Sequence, residues 1–280
     1  MVALTLFAAL LVNPQKMTVP KSALLGAWAV FMIWIAITTT VAIYPDGALQ
    51  QLEKVYKIQI VTLLTVLLIK TERQVVALVA TICASIGYYS VKGGIFTIQT
   101  AGSFRVWGPS GTFIADNNAL ALAILVTIPL AIFLLNYCPN KRLKSVLLAC
   151  ILLSFFSAVG SQSRGALLAT VAMCAFLALK SKNTLTYAVV FAAVLPLLFA
   201  FMPQSWHDRM ATIRDYEEDG SAMGRINAWA YALNVANDRI TGGGFESWSR
   251  ATFAQYAPDP DDVHAAHSIW FGVLGDHGWP

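Results

Sequence analysis

The chain reads as an all-α polytopic membrane protein, and its composition and patterning both predict this. Its 280 residues are 57% hydrophobic and 12% charged, about half the charged fraction of an ordinary soluble domain. The apolar residues fall in continuous runs near the ~20 residues that a helix needs to cross a bilayer. A membrane β-barrel would instead show alternation. A third observation concerns function. Pro203 to His277 holds all four histidines and eleven of the fifteen acids. A membrane protein that gathers its titratable groups into one long loop is expected to do its chemistry there.

The runs are Met1–Val12, Ala23–Ile43, Ile58–Ile69, Val75–Val91, Ala119–Tyr137, Val146–Ser161, Gly165–Leu179 and Leu185–Met202. The first is too short to span, and with no basic segment before it and no convincing cleavage site it does not read as a cleavable signal peptide. The last loop ends at Trp279-Pro280 with no span after it. The sequence is therefore expected to be a piece of a longer protein. Ile58–Ile69 is short, but the amphipathic Leu49–Lys57 before it extends the same helix. Lys92–Asn118 reads as an ordered loop, with Asp116 capping the next span. Two regions follow: 1–118, with the loop 92–118, and 119–280, with the long loop 203–280.

Orientation follows from the basic residues of the connectors. Alternate connectors hold Lys16, Lys21, Lys70, Arg73, Lys141, Arg142, Lys144, Lys180 and Lys182, nine basic residues against one acid, Glu72. The others hold ten basic residues against fourteen acids. The first set is expected to be cytoplasmic. The second set, with 44–57, 92–118, the turn at Arg164 and Pro203 onward, is then external, which in a Gram-negative cell means periplasmic.

No basic stripe, zinc-finger spacing or RNA-binding aromatic motif points to nucleic acid. Cys83, Cys138, Cys150 and Cys174 lie in or beside apolar runs without paired spacing, as buried small side chains would. Asp215-Tyr216-Glu217-Glu218-Asp219-Gly220 reads as a solvated acidic turn, with metal coordination the minority reading.

Four candidate groups remain. Arg164, in the turn Gln162-Ser163-Arg164-Gly165, is costly at membrane level unless paired or hydrated. It is either a snorkelling turn residue or an anion ligand, for which a guanidinium suits phosphate. Arg225 falls in the first turn of a helix expected to begin at Ser221 and to lie on the membrane through Ile226, Trp229, Leu233 and Ala236. A cation there opposes the helix dipole unless an anion is shared with the helix terminus. Arg105 is a further candidate anion contact. The pattern Asp259-Pro260-Asp261-Asp262 predicts a helix start running to about Gly275, with His264, His267, Phe271 and Leu274 on one face. The two histidines are then a surface pair, a general base, or two zinc ligands with Asp261. Outward arginines and a histidine suggest a lipid-linked phosphate substrate, with the arginines holding a diphosphate leaving group and the histidine taking a hydroxyl proton.

Ser163-Arg164-Gly165, Gly224-Arg225-Ile226-Asn227-Ala228-Trp229, Gly242-Gly243-Gly244-Phe245 and Ala266-His267-Ser268, with Leu274-Gly275 and Gly278 downstream, resemble the O-antigen ligase and polymerase superfamily. Ser90–Thr97, Arg105–Pro109, Asp116–Ala121 and Tyr256–Pro260 resemble the putative O-glycosylation ligases associated with exosortase A. The resemblance implies a GT-C-like helical bundle in the bacterial inner membrane. It implies transfer of a glycan from undecaprenyl diphosphate to a hydroxyl acceptor on the periplasmic face, with no cofactor and no required metal. It carries the functional arginines onto Arg164 and Arg225 and the histidine onto His267; His264 has no secure counterpart there and ranks below it, as a candidate support residue. A repeat-unit polymerase would use the same site. A lipid-linked sugar transporter would place charge inside its spans, and a non-catalytic scaffold of an export complex would not need His267.

Overall fold

A computed structural model describes residues 21–181, 184–211 and 220–280. Among the described residues the chain forms helices and no strand, as expected. In order these are α1 Ala23–Thr40, α2 Pro45–Leu68, α3 Glu72–Gln99, α4 Asn117–Tyr137, α5 Lys141–Gly160, α6 Arg164–Lys180, α7 Thr184–Phe201, α8 Gln204–Ala211, α9 Gly220–Asp238, α10 Arg250–Tyr256 and α11 Ile269–His277. Four of them, α1, α3, α4 and α5, are long and apolar enough to cross a membrane. The 17-residue α6 is at the lower limit of the length of a span. The acidic run 215–219 lies outside the described residues.

The chain divides into two compact units, Thr71–Asp215 and Met1–Lys70 with Tyr216–Pro280. In the first, the core is built from Leu120, Ile124 and Ile128 of α4, Phe155 and Val159 of α5, and Trp206 of α8. Asp116 caps α4 as expected, its carboxylate accepting from the backbone N–H of Asn118 and Ala119. A groove of about 950 Å³ runs between α3, α4 and α5, lined mainly by apolar side chains and holding none of the candidate residues.

The expected loop from Lys92 is corrected: α3 continues to Gln99, straight through Gly93-Gly94. These glycines are contact surface, not turn residues. A Cβ on Gly94 would stand 2.2 Å from the carbonyl oxygen of Leu153 in α5. Ser90 donates to Ser154 across the same seam. Small side chains let two membrane helices approach until backbone meets backbone. The irregular segment shrinks to 100–116, closed by Gly108 N–H to the Ala115 carbonyl at 3.0 Å.

In the second unit α1 and α2 pack together, with Tyr56 donating to the Met32 carbonyl. The α2 helix is continuous from Pro45, so the amphipathic segment does extend the short apolar run. A separate small core holds α9, α10 and the following loop: Tyr231 is fully buried and stacks on Phe253 at 4.4 Å. The buried stripe of α9 is Ala228, Tyr231, Ala232, Val235 and Ala236. Of the residues expected to lie on the membrane, Ile226 and Leu233 are exposed and Ala236 is buried. The long-range partners Phe253 and Trp248 select the Tyr231 face.

Candidate functional site

In the Thr71–Asp215 unit the backbone turns sharply between α5 and α6. Gln162 takes φ +53 there, a left-handed conformation that costs a non-glycine residue about 1–2 kcal/mol. Its side chain repays part of this by donating to the Gly102 carbonyl at 3.0 Å and accepting from Arg105 Nε at 3.4 Å. Asn117 donates to the Ser161 carbonyl at 2.8 Å, and Val106 N–H to that of Gly160 at 3.0 Å. Ser163 caps α6 through the Ala166 N–H. Arg164 is then the first residue of α6, half-buried. A cation at a helix N-terminus is unfavourable alone and favourable beside a shared anion. The turn thus gathers Arg105 and Arg164 at one end of this unit, the end where α3 stops and α4 starts.

The other unit carries Arg225, His264 and His267. Arg225 is the sixth residue of α9, which corrects its expected place in the first turn, since the helix already includes Ser221. It is half-buried, and its Nε is buried without a hydrogen-bond partner among the described residues. Such a donor costs free energy until an acceptor arrives.

The histidine segment is not helical, which corrects the expected helix from Asp259 to Gly275. Residues 257–268 are irregular, and α11 begins only at Ile269, with Ser268 as its N-cap. The backbone of this segment is satisfied elsewhere. Asp261 N–H bonds the Asp259 carboxylate at 3.1 Å, making a turn. Asn227 of α9 donates to the carbonyls of Asp259 and Asp262, at 2.8 and 2.9 Å, and accepts from Asp259 N–H at 2.9 Å. Trp229 Nε1 donates to the Ala266 carbonyl at 2.7 Å and stacks on Phe271. His267 follows, exposed, at φ +45. His264 lies against the α9 backbone at Gly224, and its Nδ1 stands 2.6 Å from Asp262 Oδ1. That approach is off the ring N–H direction, so it is a close contact and not an aligned hydrogen bond.

Sequence reasoning missed Asn227, Trp229 and the pair Asp276–His277. His277 is buried, and its Nδ1 meets Thr38 Oγ1 at 2.7 Å. Its carbonyl accepts from Trp34 Nε1. Gly242 and Gly244, both at positive φ, pass the chain between these parts, with Gly244 N–H bonded to the Asp276 carbonyl. Burial pushes His277 down to about 4 and Asp276 up to about 7. For Asp276 the Trp248 hydrogen bond partly offsets the burial, and the Glu246 charge adds to it.

The two groups act on stability with opposite sign. Asp276 binds its proton more tightly folded than unfolded, so its contribution is present below about pH 4 and is lost as pH rises through about 7. His277 contributes above about pH 6.5, and that contribution is lost as pH falls through about 4. Asp276→Asn keeps an acceptor for Trp248 and removes the charge. It is expected to raise the unfolding midpoint of the purified protein at pH 8 by ~4 °C or more, with little change at pH 4. An equal shift at both values would refute this account of Asp276.

Among the described residues no group of three or more His, Cys, Asp or Glu is placed to hold a metal ion.

Residues 149–280 match the family model for O-antigen ligase. This O-antigen ligase-like part contains Arg164, Arg225, His264 and His267, and it supports a function of the ligase or polymerase type. Residues 1–139, with Arg105, match a family of unknown function (DUF5935). No curated protein and no solved structure matches the chain. Within the O-antigen ligase-like part, the motif from Gly224 to Trp229 has a physical reading. Gly224 makes room for His264, Asn227 holds residues 259 and 262, and Trp229 holds residue 266.

Proposed function

We propose that the protein is a glycan ligase of the inner membrane. It takes an oligo- or polysaccharide from undecaprenyl diphosphate and passes it to a hydroxyl acceptor on the periplasmic face. The observation that carries this reading lies in the O-antigen ligase-like part. There α9 holds a cation with an unsatisfied buried donor, Arg225, directly beside the residue on which the histidine loop rests.

The chemistry needs little more. The acceptor oxygen attacks the anomeric carbon, the bond from that carbon to the diphosphate oxygen breaks, and the carrier diphosphate leaves with its electron pair. Arg225 and Arg164, with Arg105 in addition, stabilise the charge that develops on the diphosphate. His267 takes the hydroxyl proton, and His264 supports the loop. The basic connectors support the orientation. The resemblance of Arg105–Pro109 and Tyr256–Pro260 to exosortase A-associated ligases favours O-glycosylation as the setting.

The test is product analysis with purified full-length protein and lipid-linked donor. A ligase moves the glycan to a different acceptor and releases carrier diphosphate. Lengthening of the lipid-linked chain instead would make the protein a polymerase, and no transfer at all would remove the enzyme reading. Transfer is expected to be unchanged after exhaustive chelation; a chelator-sensitive rate restored by one metal would overturn the metal-independent mechanism.

A further inference from the structure

We propose that Gly224 and Asn227 are positioning residues for the transfer, fixing the histidine loop in register on α9 so that His267 is delivered to the site that Arg225 serves. The inference rests on the transferase reading above. An irregular segment of a dozen residues has no ladder of its own to hold it, yet this one is tied down at four points. Asn227 is buried and spends both amide N–H groups and its carbonyl on the backbone of residues 259 and 262. An asparagine inside a helix costs roughly 0.5 kcal/mol relative to alanine, so its presence there calls for such a reason. Gly224 lies one turn earlier on the same face. A Cβ there would stand 2.5–2.7 Å from Nδ1, Cε1 and Cγ of His264, so the imidazole lies with three ring atoms against bare backbone. Trp229 adds the fourth tie, at residue 266, immediately before His267. The backbone anchors run in the same order along loop and helix, from 259 to 266 against 227 to 229, and the His264 imidazole rests on the Gly224 backbone between them. A shift of the loop by one residue would break all of them together.

The effect on rate follows from positioning. Displacing a catalytic group by about 1 Å costs on the order of 10²-fold. Asn227→Asp keeps the size and shape of the side chain but sets a carboxylate against two carbonyl oxygens. Gly224→Ala favours the helix and sets its new Cβ against the His264 ring. In full-length purified protein with lipid-linked donor, each is expected to lower kcat by ~10–100-fold. The KM for donor should stay within about threefold and the unfolding midpoint within a few degrees. Placed on His267→Ala, Asn227→Asp should cause no further loss, because a positioning residue has nothing left to position. Wild-type kcat in both variants would overturn the proposal, as would a loss that multiplies on the His267→Ala background. Hydrogen exchange over 259–267 gives an arm independent of activity: it should accelerate in Asn227→Asp, and unchanged exchange would sink the anchoring claim. Absence of transfer by the wild-type protein would instead strike the transferase reading itself.

Discussion

His267→Ala in the full-length protein is expected to lower glycan transfer by ~10²–10⁴-fold, the usual contribution of a general base. The protein should remain folded, because His267 is exposed and outside the small core around Tyr231 and Phe253. Its backbone sits at φ +45, immediately before the cap of α11. Left-handed backbone at a non-glycine residue is a local cost, and such costs tend to persist where a side chain must be aimed. His267→Gly therefore separates the two effects. It relieves the backbone and removes the imidazole, so stability should hold or rise while transfer is lost. Steady-state transfer and thermal unfolding on the same preparations check both halves. Full activity in either variant would remove His267 from the chemistry.

Gly94→Val is expected to lower the unfolding midpoint steeply, and it tests the helical seam on which the Thr71–Asp215 unit rests. The new Cβ would meet the Leu153 carbonyl oxygen at 2.2 Å, an atom of the facing backbone that no side-chain rotation can move. The helices α3 and α5 would have to part. That would open the contact of Gly160 with Thr97 and the Ser90–Ser154 hydrogen bond. Overpacking of a close contact costs about 1–3 kcal/mol and occasionally more, and here there is no slack for relaxation. Gly87→Ala on the same helix is the control. Nothing stands within 4 Å of its Cβ, so it should be neutral or slightly stabilising. Unfolding midpoints of the two variants in detergent read the difference directly, and equal midpoints would contradict the packing described here.

The helices were largely legible because apolar continuity and local caps are local signals. Asp116 caps α4, and the amphipathic lead into α2 is helical, both as read. The misreadings have physical causes. Gly93-Gly94 falls in the expected loop from Lys92 because glycine punctuates soluble chains, whereas between membrane helices it is contact surface. Asp259-Pro260-Asp261-Asp262 has the residues of a helix start, but Asn227, 32 residues earlier in the chain, takes up its backbone groups. Arg164 and the two histidines stood out by chemistry alone. The pairing of His277 with Thr38 spans 239 positions and leaves no local trace. Asn227 offered one weak signal, a buried amide inside a helix next to Arg225.

On the proposed function, Arg225 and the histidine loop serve one lipid-diphosphate site. The most direct measurement is release of carrier diphosphate from a labelled lipid-linked glycan by purified full-length protein, with product captured on a hydroxyl acceptor. The wild-type protein should release carrier and glycosylated acceptor in equal amounts. Arg225→Ala should lose at least ~10²-fold, with Arg225→Lys recovering only part because a point charge replaces a bidentate one. Stoichiometric transfer by Arg225→Ala at the wild-type rate would contradict the account.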